Sequence, residues 1–190
     1  MQTKKFDART ICMVGIMAAL VFVGTNLRIK IPAGTDGVML HLGNVFCLLG
    51  GLLFGGVPGG LAAGMGSALF DLFSEYANEA WITFLTKFAM GFVSGLIACG
   101  FFAKARPAGK GLSKTALGAV AGSLTYVALY TVKTVIMQRL VYGLPWAGVW
   151  PIVAVKTSVS LINGLIAVAA SLILYSALRP ALERARILPR

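Results

Sequence analysis

Polar and charged side chains stand inside long apolar runs of this sequence, and their spacing places them on single helix faces. Asp71 follows Ser67 by four residues and Gly64 by seven, so these three lie on one side of a helix. Similar stripes are formed by His41 and Asn44; by Thr83, Lys87 and Ser94; by Tyr126, Tyr130 and Lys133; and by Lys156, Ser160 and Asn163. Ammonium, carboxylate, amide and phenol groups gathered in an apolar setting can bind a small polar molecule.

The same residue types do not form a catalytic or metal-binding pattern. His41 is the single histidine, and the motifs GxSxG, HExxH and GxxxxGKS/T do not occur in the sequence. We expect His41 to line a cavity or to cap a helix by hydrogen bonding. Cys12, Cys47 and Cys99 stand in apolar runs without CxxC spacing, so they are predicted to be small buried hydrophobic residues. The sequence therefore predicts no enzyme, no catalytic residue, no metal ion and no cofactor.

Transmembrane helices are the elements that must position these side chains. Of the 190 residues, 58% are hydrophobic and 12% are charged, and the mean hydropathy is +0.85. This composition excludes a soluble globular protein and a disordered one, and it predicts an all-α membrane protein. We expect a single transmembrane domain, residues 1–190, with six spans near residues 10–27, 38–54, 57–73, 80–102, 115–140 and 151–178. Residues 28–37 are expected to form a loop.

Basic residues mark the predicted cytoplasmic side. The net charge of +11 reflects clusters in the N-terminal segment, in the loop between spans four and five, and in the C-terminal tail. With six spans all three clusters share one side, so both termini are predicted to be cytoplasmic, whereas five spans would separate the two basic ends. Clusters at the ends of spans indicate contact with a lipid bilayer rather than with nucleic acid.

This topology places ionisable residues of four spans in the outer half of the membrane, where they predict a polar cavity open to the outside. These residues are Asp71, Lys87, Lys133 and Lys156. Tyr126 and Tyr130 are the expected aromatic walls, and Glu75 makes the charge of the cavity mixed in sign. The tryptophans Trp81, Trp146 and Trp150 either form the rim or anchor the protein in the interface. Alternatively, the lysines extend to the interface, or Asp71 pairs with one lysine inside the bundle.

A stripe of small residues runs along the first span and the turn before it. Its members, at spacings of four, three and four, are Ala8, Cys12, Gly15 and Ala19. Such a stripe allows a second helix to approach closely, so it predicts either a docking face for a partner or packing within the bundle.

Three segments together resemble a known family. They are His41–Asn44, the glycine-rich segment Leu48–Leu72 that contains Asp71, and Trp81–Lys87. They are similar to the substrate-binding S components of energy-coupling factor (ECF) transporters, in the branch of riboflavin, hydroxymethylpyrimidine and pyridoxine carriers. Two positions depart from the family pattern: Asn44 stands where Asp is common, and Gly15-x-x-x-Ala19 stands in place of an AxxxA motif.

The resemblance implies a multi-pass protein of a prokaryotic cell membrane that captures a water-soluble vitamin or precursor from outside. It also implies partners, namely a transmembrane coupling subunit and two ATPase subunits, and a toppling motion that releases the substrate inside. A ring-containing vitamin is the favoured substrate and pantothenate the second. The rival hypothesis is a stand-alone secondary transporter in which Asp71 and the lysines relay protons. A membrane enzyme and a structural assembly protein fit the polar stripes less well.

Overall fold

The computed structural model describes residues 7–33, 37–102, 112–185 and 187, and this part of the chain is a bundle of six α-helices with one β-hairpin. The elements are α1 (Ala8–Asn26), β1 (Arg28–Ile31), β2 (Val38–His41), α2 (Gly43–Phe54), α3 (Gly56–Leu72), α4 (Ala80–Cys99), α5 (Leu112–Ile136) and α6 (Trp146–Arg184). A short 3-10 turn, Ala77–Glu79, precedes α4, and a π-helical turn, Met137–Val141, extends α5.

Four helical stretches have the length and apolarity needed to cross a membrane. They are Ala8–Asn26, Ala77–Cys99, Leu112–Val141 and Trp146–Arg184. The two remaining helices are shorter, with 12 residues in α2 and 17 in α3. The basic residues Lys4, Lys5, Lys104, Arg106 and Lys110, on which the predicted orientation depends, lie outside the described residues.

The β-hairpin corrects two expectations about the segment after α1. The expected loop 28–37 contains β1, and the expected second span begins with β2 rather than with helix. The strands pair antiparallel, with Arg28 opposite His41 and Ile31 opposite Val38. Alternation of polar and apolar residues in Arg28–Ile31 suits a half-buried strand, and the partner strand supplies the hydrogen bonds. The hairpin thus lies at the end of the bundle where α1 ends and α2 begins.

Glycines bring the backbones of α2, α3 and α4 into direct contact. A Cβ atom on Gly59 of α3 would lie 2.4 Å from the Cα of Gly51 in α2, and one on Gly95 of α4 would lie 2.3 Å from the carbonyl carbon of Gly55. Gly55 itself has a φ of 93° and separates α2 from α3. Because α2 also contacts α1, α5 and α6, it is enclosed by the other helices.

One hydrophobic cluster lies at the end of the bundle away from the hairpin. Leu52, Leu53 and Phe54 of α2 pack there with residues of α1, α4 and α6. Cys47 and Cys99 are buried as expected, but Cys12 is exposed on the outer face of α1, so the expectation was wrong for this residue.

An ion pair fastens the hairpin to the segment between α3 and α4. Lys30 of β1 donates a hydrogen bond to Glu75, and this bond lowers the pKa of the Glu75 carboxyl below its usual value. The backbone N–H of Leu42 also donates to the carbonyl of Gly24 at the end of α1, at 3.1 Å. Both contacts hold β2 over the polar end of the bundle.

Candidate functional site

A polar cavity of about 80 Å³ lies under the hairpin, between α1, α3, α4 and α5. Half of the twelve residues predicted to bind substrate line it, namely His41, Asp71, Lys87, Tyr126, Tyr130 and Lys133. A second space of about 60 Å³ shares His41 and the two tyrosines and is also lined by Ser160 and Asn163 of α6. The fold thus brings together predicted residues from four helices and one strand. His41 belongs to the strand β2, so the expectation that it shares a helix face with Asn44 was wrong.

Lys87 lies at the centre of this cluster. Its ammonium group donates a hydrogen bond to Oδ1 of Asn44 and lies 3.7 Å from the centroid of the Tyr126 ring. Lys87 and Asn44 are buried, and the Nδ2 atom of Asn44 has no hydrogen-bond acceptor among the described residues. Because Lys87 does not extend toward the interface, snorkelling is contradicted for this lysine. The cluster presents hydrogen-bond donors inside the bundle.

The two tyrosines form one aromatic wall. The ring centroids of Tyr126 and Tyr130 are 5.7 Å apart and the planes are tilted by 31°. Four residues, or about one helical turn, separate them on α5, so both project toward the same side. A planar ligand can pack against this wall while its edge takes hydrogen bonds from neighbouring side chains.

Asp71 and Lys133 have different partners from the ones considered in the sequence. Asp71 is buried and hydrogen-bonded to the side chain of Thr83, whereas Lys133 forms its ion pair with Glu79 in the 3-10 turn. Among the described residues, no lysine lies within ion-pair distance of Asp71. Glu79, which also lines the cavity, was not among the residues predicted for the site.

Lys156 lies on α6 and is buried, one turn before Ser160. It does not line either cavity, although Ser160 and Asn163 on the same helix face do. The Ser160 hydroxyl is buried without a hydrogen-bond partner among the described residues. This face of α6 therefore contributes polar groups beside the aromatic wall.

Glu75 and Trp81 do not line the inner cavity, although Glu75 lines a wider cleft beside it. Glu75 pairs with Lys30 at the surface, and Trp81 is 67% exposed. Trp81 shares the outward face of α4 with Leu85, four residues later, whereas Lys87 lies on the inward face. Trp146 and Trp150 are also exposed, with stacked rings, which fits the alternative of anchoring in the interface.

A wider cleft of about 700 Å³ adjoins the cavity. The two spaces share Gly37, Val38, Tyr76 and Glu79. Small-molecule sites usually measure about 300–1,000 Å³, so the cleft has the size of such a site and the inner cavity does not. A ligand that reaches Lys87 must therefore extend from the cleft or widen the cavity.

The small-residue stripe of α1 faces away from the bundle. Ala8, Cys12, Gly15 and Ala19 are all exposed, while Val14, Met17, Ala18 and Val21 form the buried face of α1. A Cβ atom on Gly15 would have no heavy atom within 4 Å. Packing within the bundle, one of the two explanations for the stripe, is thus contradicted.

Comparisons with known proteins agree with this architecture. A solved structure described as "Structure and mechanism of the S component of a bacterial ECF transporter" matches with a TM-score of 0.63 and 18% identity, covering 92% of this chain and 97% of that one. At this identity the match shows the fold alone.

Two curated relatives align with part of the chain. A UPF0397 protein of Lactiplantibacillus plantarum (strain ATCC BAA-793 / NCIMB 8826 / WCFS1) is 34% identical over 97 residues, which are 50% of this chain and 51% of that protein. The chain therefore spans about half the length of this relative. An "Uncharacterized protein in gap 3'region" of Pyrococcus woesei is 32% identical over 106 residues, or 55% of this chain and 68% of that protein.

The family model for "ECF-type riboflavin transporter, S component" matches residues 5–180, which include all the elements that form the cavity. The chain therefore belongs to the family of ECF-type riboflavin transporter S components, which is a family of transporter subunits and not of enzymes.

Proposed function

We propose that this protein captures a ring-containing, water-soluble vitamin from outside the cell, with riboflavin as the first candidate. The observation that carries this proposal is the cluster of Lys87, Asn44 and Tyr126 in a cavity that adjoins a cleft of ligand size. The tyrosine wall suits a planar ring, and the buried ammonium and amide groups suit acceptor atoms on its edge. His41, Asp71, Lys133, Ser160 and Asn163 complete the proposed site, with Lys156 behind it.

The proposed topology has six spans in a single transmembrane domain, with both termini in the cytoplasm of a prokaryotic cell. Four helices have spanning length, and the short α2 is enclosed by its neighbours, so its backbone is shielded from lipid. In this orientation the hairpin and the cleft face outward. The dense core around Leu52, Leu53 and Phe54 then closes the cytoplasmic end.

The proposed partners are a transmembrane coupling subunit and two ATPase subunits. The exposed stripe of α1 supports a helix-docking surface, since small side chains let a second helix approach closely. Hydrolysis of ATP by the partners would drive reorientation of this subunit in the membrane and release of the vitamin inside.

The first experiment is a ligand-binding screen of the detergent-purified protein. Riboflavin, hydroxymethylpyrimidine, pyridoxine and pantothenate are added singly and thermal unfolding is measured. A ligand at a hundredfold excess over its Kd stabilises the folded state by about 2.7 kcal/mol, so a hit raises the unfolding temperature. We expect riboflavin to give the largest shift, and the absence of a shift with every compound in a folded sample would contradict the proposal.

Reconstitution separates the proposal from its main rival. The protein is placed in lipid vesicles with and without the coupling and ATPase subunits, and uptake of the bound vitamin is followed. An energy-coupled importer accumulates vitamin when all subunits and ATP are present. Accumulation by this chain alone in response to a pH gradient would instead establish a proton-coupled secondary transporter.

A further inference from the structure

His41 lies where the two inner spaces meet. Its side chain lines both the cavity of about 80 Å³ and the neighbouring space of about 60 Å³. Only 9% of the residue is exposed, although it is the last residue of β2 and lies close to the surface hairpin. The ring is thus part of the boundary that a ligand in either space would touch.

One edge of the His41 ring is occupied by the backbone. The N–H of Gly43, the first residue of α2, donates a hydrogen bond to Nδ1 at 3.1 Å. Nδ1 therefore carries a lone pair and no proton, and in a neutral imidazole the proton lies on Nε2. In the described part of the chain this is the one hydrogen bond of the ring. A second proton would break it and add positive charge beside Arg28 and Lys87.

Close packing keeps the ring in this position. A Cβ atom on Gly43 would lie 2.1 Å from Oγ1 of Thr25 and 2.9 Å from Nδ1 of His41. A side chain at position 43 would therefore displace the side chain of Thr25 or the ring of His41. The end of α1, the end of β2 and the start of α2 therefore hold the imidazole between them.

We propose that His41 is a specificity-determining hydrogen-bond donor, whose Nε2–H reads an acceptor atom on the edge of the transported vitamin. This inference rests on the proposed function, because the acceptor belongs to the ligand of that site. It extends the function by assigning the hydrogen-bonding character of the ligand atom that contacts Nε2 of His41. A carbonyl oxygen or an unprotonated ring nitrogen at this position favours binding, whereas an N–H group or a cationic ring opposes it.

Two neighbouring groups give the inner wall the same polarity. The ammonium of Lys87 has three hydrogens and donates one to Asn44, and the Nδ2 group of Asn44 has no acceptor among the described residues. A ligand edge that presents no acceptor to these groups would leave the buried donors unpaired, which costs binding free energy. The acceptors Asp71 and Glu79 also line the cavity and so suit donor groups on the ligand.

The tautomer can be measured without any ligand. Because the sequence has a single histidine, selective ¹⁵N labelling of histidine gives the resonances of His41 alone. We expect the spectrum of the detergent-purified protein to show a protonated Nε2 and an unprotonated Nδ1. A proton on Nδ1, or on both nitrogens at neutral pH, would overturn the proposal.

Riboflavin is the probe for the second measurement. On saturation, the Nε2–H resonance should shift as in a new hydrogen bond, exchange more slowly with water and keep its tautomer. A purely structural histidine would show no such change. His41→Leu should weaken riboflavin binding about tenfold, the loss of one hydrogen bond that leaves its partner unpaired. An exposed residue of α4 supplies the control, Leu85→Ala, which should bind as the wild type does.

The possible outcomes distinguish a failure of the role assigned to His41 from a failure of the proposed vitamin-binding function. If riboflavin binds the wild type while the Nε2 resonance is unchanged, His41 does not read the ligand and only the present proposal is overturned. If the folded protein binds none of the four vitamins, the proposed function fails and the role of His41 fails with it. A poorly folded His41→Leu sample leaves the two NMR measurements on the wild type to decide.

Discussion

Lys87 keeps its ammonium group inside the bundle although its hydrogen-bond partner, Asn44, is neutral. Burying a charge without an opposite charge is costly, and the face of Tyr126 offsets part of this cost, since desolvated cation–π contacts contribute about 2 kcal/mol. Asp71 lines the same cavity and adds long-range attraction. A ligand acceptor at this position would complete the hydrogen bonding of the ammonium group.

Replacing Lys87 should weaken vitamin binding. Lys87→Met keeps the length of the side chain and removes the charge, and hydrogen bonds to charged groups contribute about 1.5–3 kcal/mol, so the Kd should rise about ten- to a hundredfold. Titration of riboflavin fluorescence measures this change. Lys114→Met, at an exposed position near the start of α5, is the matched control and should bind normally. Equal affinity in both variants would remove Lys87 from the site.

Helical spacing in the sequence predicted many of the residues that line the candidate site, and the residues that it missed have physical explanations. It placed Asp71, Lys87, Tyr126 and Tyr130 together because each repeats on the inward face of its helix. It did not decide whether Trp81 forms the rim or anchors the protein, since a residue at the boundary of a helix can face either way, and the exposed position of Trp81 fits anchoring. The selection of Glu79 required knowing how far the 3-10 turn reaches over the bundle toward Lys133, which no local spacing encodes.

The elements α2, α3 and α4 depend on glycine at their contacts. Between Gly51 and Gly59 no room exists for a methyl group, because the added carbon would meet backbone atoms that cannot move without separating the helices. The stacked rings of Phe88 and Phe92 then cover the glycine-rich surface of α3 at Gly60 and Gly56. These three helices therefore behave as one packed unit beneath the cavity.

Alanine at Gly59 should destabilise the protein even though alanine favours helix. Helix propensity alone would stabilise the helix by about 1 kcal/mol, but overpacking typically costs about 1–3 kcal/mol and here falls on backbone contacts. We expect Gly59→Ala to lower the unfolding temperature. Gly148→Ala in α6, where an added Cβ has open space, should leave it unchanged or raise it. If Gly148→Ala lowers the unfolding temperature more than Gly59→Ala does, the close contact at Gly59 does not determine the stability of the protein.

The hairpin was not predicted because its signal is spread over two distant segments. Arg28–Ile31 is too short to identify as a strand by itself, and Val38–His41 continues directly into an apolar run that suggests helix. Pairing of the two strands depends on contacts between them and with the bundle. The helices themselves were foreseeable because long apolar runs allow few other structures in a bilayer.

For the whole molecule, a substitution in the exposed stripe of α1 should impair transport without impairing ligand binding. Gly15→Leu places a large side chain on an open surface, so binding and thermal stability should be retained, whereas docking of a partner helix should be blocked. We expect ATP-driven uptake by the reconstituted transporter to fall at least tenfold. Gly148→Leu adds the same side chain at another open position and should transport normally. Normal uptake by Gly15→Leu would exclude this face as the docking surface.

The brevity of α2 has a consequence for how the chain enters the membrane. Its 12 residues extend about 18 Å, well short of the roughly 30 Å of the hydrocarbon core, and the break at Gly55 joins it directly to α3. An insertion machinery that examines one segment at a time would find no complete span in α2. We therefore expect α2 and α3 to be integrated together as a helical pair during synthesis, so that a nascent chain ending at Phe54 leaves α2 accessible from water and one ending beyond Leu72 does not.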